Sequence, residues 1–393
     1  MGSFRFGLID PGLHARLRPD LMLANTKLVA TVAGAESMWI PDHLISVVPR
    51  SLWQRRHVGA AALAPDIDAT FDPWTALGYV AARNRLSRLR IGVSVTDTGR
   101  RHPAVTAQAA ATLHLLSRGR AILGIGPGER ENNEPYGVDW TAPVSRFEEG
   151  LATIRALWDS GGQPFSRDSP FFPLRDAVFA VPPYRNSRPE IWIGAHGPRM
   201  LRLTGRHGDA WLPGFLHRAS DYGAKLGAVR DAAADAGRDP GAVLPAGQFF
   251  VVTGSSPDAI DEALESPLLR VLGLCAGGQS WAAHGAVHPL GPDFAGAQDL
   301  LPQTLDESTA LDHARAVPAS LLREMVVCGT PDEVVDQLAA YRDHGLRYAL
   351  LMNVSVTQTS LRAGLRSSGA FLSVLRRLRG LNRGNHNRHK ENR

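Results

Sequence analysis

The chain contains two cysteines, Cys275 and Cys328. Two cannot build a disulfide framework, so a reducing, cytoplasmic compartment is the expectation. Apolar runs are short: Tyr348-Ala349-Leu350-Leu351-Met352 falls far below the roughly 20 residues that a bilayer demands. The opening Met1-Gly2-Ser3-Phe4-Arg5-Phe6 has no basic stretch followed by an apolar one, and no Ser or Thr at position 6. Neither a signal peptide nor a myristoyl anchor is expected. A Gly-x-Ser-x-Gly elbow is missing, which argues against an α/β-hydrolase. A dinucleotide fingerprint is missing too. The glycine-rich segment Gly124-Ile125-Gly126-Pro127-Gly128-Glu129 has different spacing, lies mid-chain and lacks a placed acidic ribose partner, which argues against a nicotinamide enzyme. His284 and His288 have zinc-like spacing, but Gly285 and Pro289 disfavour a helix there and no third ligand is evident, so no metal is expected.

What is present describes an ordinary globular protein. Hydrophobic residues make up 44% and charged residues 21% of 393, enough to bury a full core. The net charge of +5 is unevenly spread: residues 361–393 hold eight Arg and one Lys against one Glu, leaving the preceding 360 residues at −3. A basic end can touch anionic lipid. The plainer reading is a solvated tail over 381–393, and no nucleic-acid motif accompanies it.

Strand-like and helix-like segments alternate. Strands are expected at 4–9, 37–41, 89–95, 121–125, 190–195, 210–212, 248–253 and 346–352. Helices are expected at 21–34, 73–84, 103–116, 144–158, 198–205, 222–236, 257–264, 331–342 and 361–379, several opened by proline, with Thr330 as a cap. Such repetition means a parallel sheet, and about eight units favour a closed (β/α)₈ TIM barrel over residues 1–380. The stretches 44–72, 160–184 and 268–318 then read as long loop insertions, the middle one of β type and the last irregular.

In such a barrel the chemistry lies at the C-terminal ends of the strands. That rule selects Asp10, Asp42-His43, 94–97, 126–130, His196-Gly197 and Asn353. His43 can move a proton near neutral pH, and Glu129 delivers a carboxylate to the mouth. The alternative reading of the acidic run Glu129, Glu131 and Glu134 is simple solvated loop charge. Gly194-Ala195-His196-Gly197-Pro198-Arg199 is a strand-to-helix junction whose free N–H groups and Arg199 suit a phosphate.

The strings Arg90-Ile91-Gly92-Val93-Ser94-Val95-Thr96, 101–113, Leu116-Ser117-Arg118-Gly119-Arg120, 124–129, Asp209-Ala210-Trp211 and 329–334 together resemble the bacterial luciferase-like superfamily, across almost the whole chain. Asp42-His43 and Gly128-Glu129 resemble its branch that uses the deazaflavin coenzyme F420. Residues 126–137 and 284–304 are similar to ketoreductases of phthiodiolone and phenolphthiodiolone dimycocerosates, which reduce a keto group in a long-chain lipid. The resemblance implies His43 and Glu129 as active-site groups beside the deazaflavin. It implies a bulge with a non-prolyl cis peptide at Ser94-Val95 backing the ring. It also implies coenzyme contacts at Asp42, Gly126, Gly128, His196, Gly197 and Arg199, a keto-lipid substrate and a homodimer. One departure is Val47, four residues after the histidine, where some relatives place Trp. The loops 44–72 and 268–318, with Trp53 and Trp281, are the expected walls of an apolar substrate groove. A flavin mononucleotide monooxygenase and a non-catalytic lipid-binding barrel are the competing readings.

Overall fold

Eleven strands follow one another along the residues described by the computed structural model, 3–216 and 218–382. They are β1 (Arg5–Ile9), β2 (Ser37–Ile40), β3 (Arg90–Asp97), β4 (Ala121–Gly126), β5 (Phe165–Arg167), β6 (Leu174–Ala177), β7 (Glu190–Ile193), β8 (Ala210–Trp211), β9 (Leu244–Thr253), β10 (Val327–Gly329) and β11 (Tyr348–Asn353). Eight of them are parallel neighbours in the cyclic order β1, β2, β3, β4, β7, β8, β9, β11 and close a barrel. The expected TIM barrel is therefore present. Strands β5 and β6 form the antiparallel excursion anticipated in 160–184. β10 is a short ninth parallel strand on the far end of β9.

Close packing explains several glycines inside the barrel. Trp39, Trp192 and Tyr348 fill its interior, with both aromatic neighbours 5.0 Å from the Trp192 ring. They fit because the facing positions carry no side chain: a β-carbon on Gly92 would lie 2.4 Å from Trp39 Cε3. Ser37 Oγ satisfies Trp39 Nε1 and the Tyr348 hydroxyl, so these rings bury no unpaired donor.

Outside the barrel, helix starts follow their sequence signals. Pro73–Arg83 is capped by Asp72, whose carboxylate accepts from Thr75 N at 2.8 Å. Pro331–Asp343 has a reciprocal capping box between Thr330 and Glu333. Among the described residues no helix is long and apolar enough to cross a membrane. Most of the expected basic tail, from residue 383 onward, lies outside the described residues.

The 268–318 expectation needs correction. Instead of an irregular loop throughout, the chain forms helices Pro267–Arg270, Gly278–Ala283, Glu307–Ala316 and Ala319–Met325, with 3₁₀ turns at Val271–Cys275, Ala297–Asp299 and Pro302–Thr304, and only 284–296 is irregular as expected. They enclose a second apolar core with the 44–72 segment, shared with Phe250, Val252 and Val354 at strand ends. The glycines that look like loop markers are points of close approach: a β-carbon on Gly273 would meet Val317 Cγ1 at 2.4 Å, and one on Gly278 would meet Pro292 O at 1.9 Å. Trp53 and Trp281 are likewise corrected. Both are buried in this second core with their indole N–H groups donated to Ala64 O and Gly273 O, so neither lines an open groove. Val47 is partly buried against the same core.

Candidate active site

Strand ends β2, β3, β4 and β7 meet where the sequence places the chemistry. β3 is bulged: its register to β4 jumps from Val93–Leu123 to Thr96–Ile125. The intervening Ser94-Val95 peptide is cis. Val95 is partly exposed between two glycines on the neighbouring strand ends. A β-carbon on Gly126 would sit 3.3 Å from Val95 Cγ2, and one on Gly194 would sit 3.6 Å from it. Bare backbone thus flanks Val95 on both sides, a floor on which a flat ring can rest. Ser94 Oγ donates to Gln248 Oε1 at 3.0 Å, which ties β3 to β9 across the barrel.

A second element suits a phosphate. Gly197 precedes helix Pro198–His207, and a β-carbon there would meet nothing within 4 Å. The helix's first N–H groups therefore open toward solvent at the strand ends. His196 is exposed at the same turn. Arg199 is already engaged: its guanidinium donates to Glu148 at 2.6 Å and Ser145 at 3.0 Å.

The proton-handling side is built by the β2 and β4 loops. Asn132 is fully buried. Its Oδ1 accepts from Leu44 N at 2.6 Å and Ile45 N at 3.3 Å. Backbone N–H groups only donate, so this oxygen is fixed and Nδ2 must be the donor. Nδ2 lies 2.8 Å from His43 Nδ1 and 3.1 Å from Glu131 Oε1. His43 Nδ1 is thereby an acceptor, and the ring is neutral with its hydrogen on Nε2. Among the described residues Nε2 has no hydrogen-bond partner, and the side chain remains 18% exposed. The His43 carbonyl accepts from Thr70 Oγ1, pinning the loop.

The three acidic groups of the β4 loop have different environments. Glu129 is partly exposed at the mouth and surrounded by protein. Burial raises its pKa, Asp97 adds to it, and His43 would oppose it only when protonated. Glu131 is fully buried, 3.8 Å from His43 Nδ1 through Oε1, and its Oε2 has no partner among the described residues. Burial, then the neighbouring Glu129, push its pKa up to about 9. Its neutral acid form therefore prevails at neutral pH. Glu134, by contrast, is exposed and paired with Arg130. The reading of Glu131 as solvated charge is thus overturned, and that of Glu134 stands.

Asp42 faces inward. Its carboxylate accepts from Thr96 Oγ1 at 2.6 Å and lies 3.3 Å from both Arg100 and Arg101. Arg100 also pairs with Asp97 at 2.9 Å. Burial opposes the Arg100 charge, but Asp97 and Asp42 outweigh it and keep the guanidinium ionised. Asp42 therefore holds the β3 loop in place. Gly128 has φ +91° and no room for a β-carbon, which would lie 2.9 Å from Asn133 Nδ2 and Asp97 Cβ. Sequence reasoning missed Glu131, Asn132, Arg100 and Gln248. Position 131, two residues after the flagged carboxylate, offered the one available hint.

From Arg130 onward the β4 loop and the helical insert border a cavity of about 770 Å³, within the range of ligand sites. Val138, Trp140, Leu290 and Phe294 give it an apolar face. Asp139, Asp293 and Asp299 bring acidic groups to its wall. The groove is wide and mixed in character.

The family model described as luciferase-like monooxygenase matches residues 24–348. The chain belongs to the luciferase-like family. This luciferase-like chain is 57% identical over 381 residues to the phthiodiolone/phenolphthiodiolone dimycocerosates ketoreductase of Mycobacterium sp. (strain JLS), covering 97% of itself and all of that protein. It is 38% identical over 202 residues to an F420-dependent glucose-6-phosphate dehydrogenase of Beutenbergia cavernae, covering 49% of itself and 52% of that protein. Among solved structures, an F420-dependent secondary alcohol dehydrogenase in complex with an F420-acetone adduct superposes with a TM-score of 0.71 at 19% identity, covering 95% of this chain and 99% of that one. At that identity the likeness speaks for the luciferase-like fold.

Proposed function

We propose that the protein is a coenzyme F420-dependent ketoreductase. It reduces the keto group of a long-chain lipid of the phthiodiolone and phenolphthiodiolone dimycocerosate class to the secondary alcohol. The observation that carries this reading is the end-to-end identity of 57% with a ketoreductase of that name. The site supports it: the glycine-flanked floor at Val95 suits a flat deazaflavin, and the open turn at Gly197 suits its phosphate. Ser94, Val95, Gly126 and Gly128 would hold the ring side, and His196, Gly197 and the helix start behind them the phosphate side. Asp42 and Arg199 contribute through the loops and helices they fix.

Reduced deazaflavin, when bound, supplies a hydride to the carbonyl carbon. The chain's own task is the proton. An alkoxide forms at the former carbonyl oxygen and needs an acid within reach. His43 Nε2–H and the Glu129 carboxyl, whose pKa burial raises, are the two candidates at the mouth. The cavity between the β4 loop and the helical insert would receive an acyl chain on its Trp140 and Leu290 face. Cytoplasmic location, a homodimer and membrane contact through the basic tail belong to the same proposal.

Titration with F420 and with flavin mononucleotide tests the reading. Tighter binding of deazaflavin, with reduction of a keto lipid, is expected. Tighter binding of flavin mononucleotide with oxygen consumption would support a monooxygenase instead.

A further inference from the structure

Glu131 is a carboxyl for which packing has no use. It is fully buried, one oxygen has no partner among the described residues, and its other oxygen shares Asn132 Nδ2 with His43. A buried ionisable group of that kind destabilises a fold, and an apolar residue of similar volume would serve packing better. The same carboxyl lies 3.8 Å from the His43 nitrogen that points away from solvent. His43 itself has a difficulty as an acid. With Nδ1 bare and the hydrogen on Nε2, giving that hydrogen away would leave an imidazolate, unless Nδ1 gains a proton in the same event.

We infer that Glu131 supplies that proton, acting through His43 as a positioning residue of a two-step relay. The inference rests on the ketone-reducing reading above. The transfer balances. Nε2–H goes to the substrate alkoxide, which becomes the alcohol, and the Glu131 carboxyl hydrogen goes to Nδ1. The imidazole stays neutral and exchanges one tautomer for the other, while the negative charge passes from the alkoxide to Glu131. Asn132 Nδ2 must release Nδ1, but it remains on Glu131 Oε1 and stabilises the new carboxylate. The groups that face Glu131 suit both states. Glu129 on its own loop disfavours a second charge, while Arg100 from the β3 loop favours it; the Cys275 thiol of the helical insert feels the Glu131 charge, and burial raises its pKa. Glu129, partly exposed, is placed to pass a proton back from water after the product leaves.

The neutral carboxyl can be read without coenzyme or substrate. Infrared difference spectra of the free protein at neutral pH, wild type against Glu131→Gln, should show the C=O band of a protonated acid that the variant lacks. Nitrogen NMR of wild-type His43 should show the neutral Nε2–H tautomer. An absent acid band, or a His43 found as imidazolium or as the Nδ1–H tautomer, would overturn the relay, and neither result depends on the proposed substrate. In turnover, Glu131→Gln should lower kcat about 10²-fold with KM and coenzyme affinity unchanged, and should abolish the alkaline fall of kcat near pH 9. Glu131→Asp, which restores a proton, should recover part of the rate. Wild-type kcat and pH profile in Glu131→Gln would overturn the relay. Absence of turnover in the wild type would instead reject the ketoreductase reading and leave the infrared and NMR results to decide this one.

Discussion

Replacing Asn132 tests the architecture of the site with the fewest assumptions. Its side chain makes four contacts: two backbone N–H groups of the His43 loop, His43 Nδ1 and Glu131 Oε1. Asn132→Ala removes all four and leaves buried polar groups unpaired. Each such group costs about 1–3 kcal/mol, but the loop can relax toward water, so a net loss of about 2–4 kcal/mol is expected by chemical denaturation. Asn132→Asp is the sharper probe. An aspartate keeps the volume and still accepts from Leu44 and Ile45, but its second atom no longer donates. His43 Nδ1 must then carry the hydrogen, and Nε2 becomes bare. Nitrogen NMR should report the switched tautomer in the free protein. Turnover should fall by about 10²–10⁴-fold, the usual worth of a general acid, while coenzyme affinity changes little. Asn132→Asp with wild-type turnover and an unchanged His43 tautomer would refute the assignment of Nδ2 as the donor and with it the account of His43.

Gly92→Ala should destabilise the protein by about 1–3 kcal/mol through overpacking, because the new methyl would stand 2.4 Å from Trp39; denaturation curves check it, and coenzyme affinity should be retained by the folded protein. Trp140→Ala should raise KM about tenfold or more for a long-chain ketone, from the loss of about 1.5–3 kcal/mol of apolar burial, and leave a short ketone unaffected. Glu129→Gln should lower turnover by about 10²–10⁴-fold if Glu129 gives the proton directly, and by much less if it only returns protons to Glu131; rapid-mixing measurements of a single turnover separate the two. Stability should fall as pH rises from about 4.5 toward 9. Above the unfolded-state value of Glu131 the unfolded chain releases a proton that the folded chain retains, up to its raised value of about 9. Glu131→Gln should flatten that part of the stability profile.

The barrel was legible because its strands and helices alternate with strong local signals. The helix Pro103–Leu116 falls on its sequence-read bounds, as does Pro257–Leu264. Strand β9 was read four residues short because Pro245 and Gly247 look like breakers. Pro245 sits where β9 leaves β8 for β11, and its missing N–H disrupts little there. The helical insert was unreadable for a related reason: its glycines mark helix contacts, and its segments are too short for a period to show. At the site, His43, Glu129 and the Ser94-Val95 bulge stood out through strand-end position and family likeness. Asn132 and Glu131 did not, because nothing local distinguishes a buried loop carboxyl from a solvated one. Their role depends on a loop 87–89 residues earlier folding over them.

The central claim is reduction of a lipid ketone by deazaflavin. Purified protein should be incubated anaerobically with deuterium-labelled reduced F420 and a phthiodiolone-type ketone, and the lipid examined by mass spectrometry. The account predicts a secondary alcohol bearing one deuterium on the former carbonyl carbon, formed in step with coenzyme oxidation. Unchanged ketone, or an oxygenated product that appears only with reduced flavin mononucleotide and air, would contradict it.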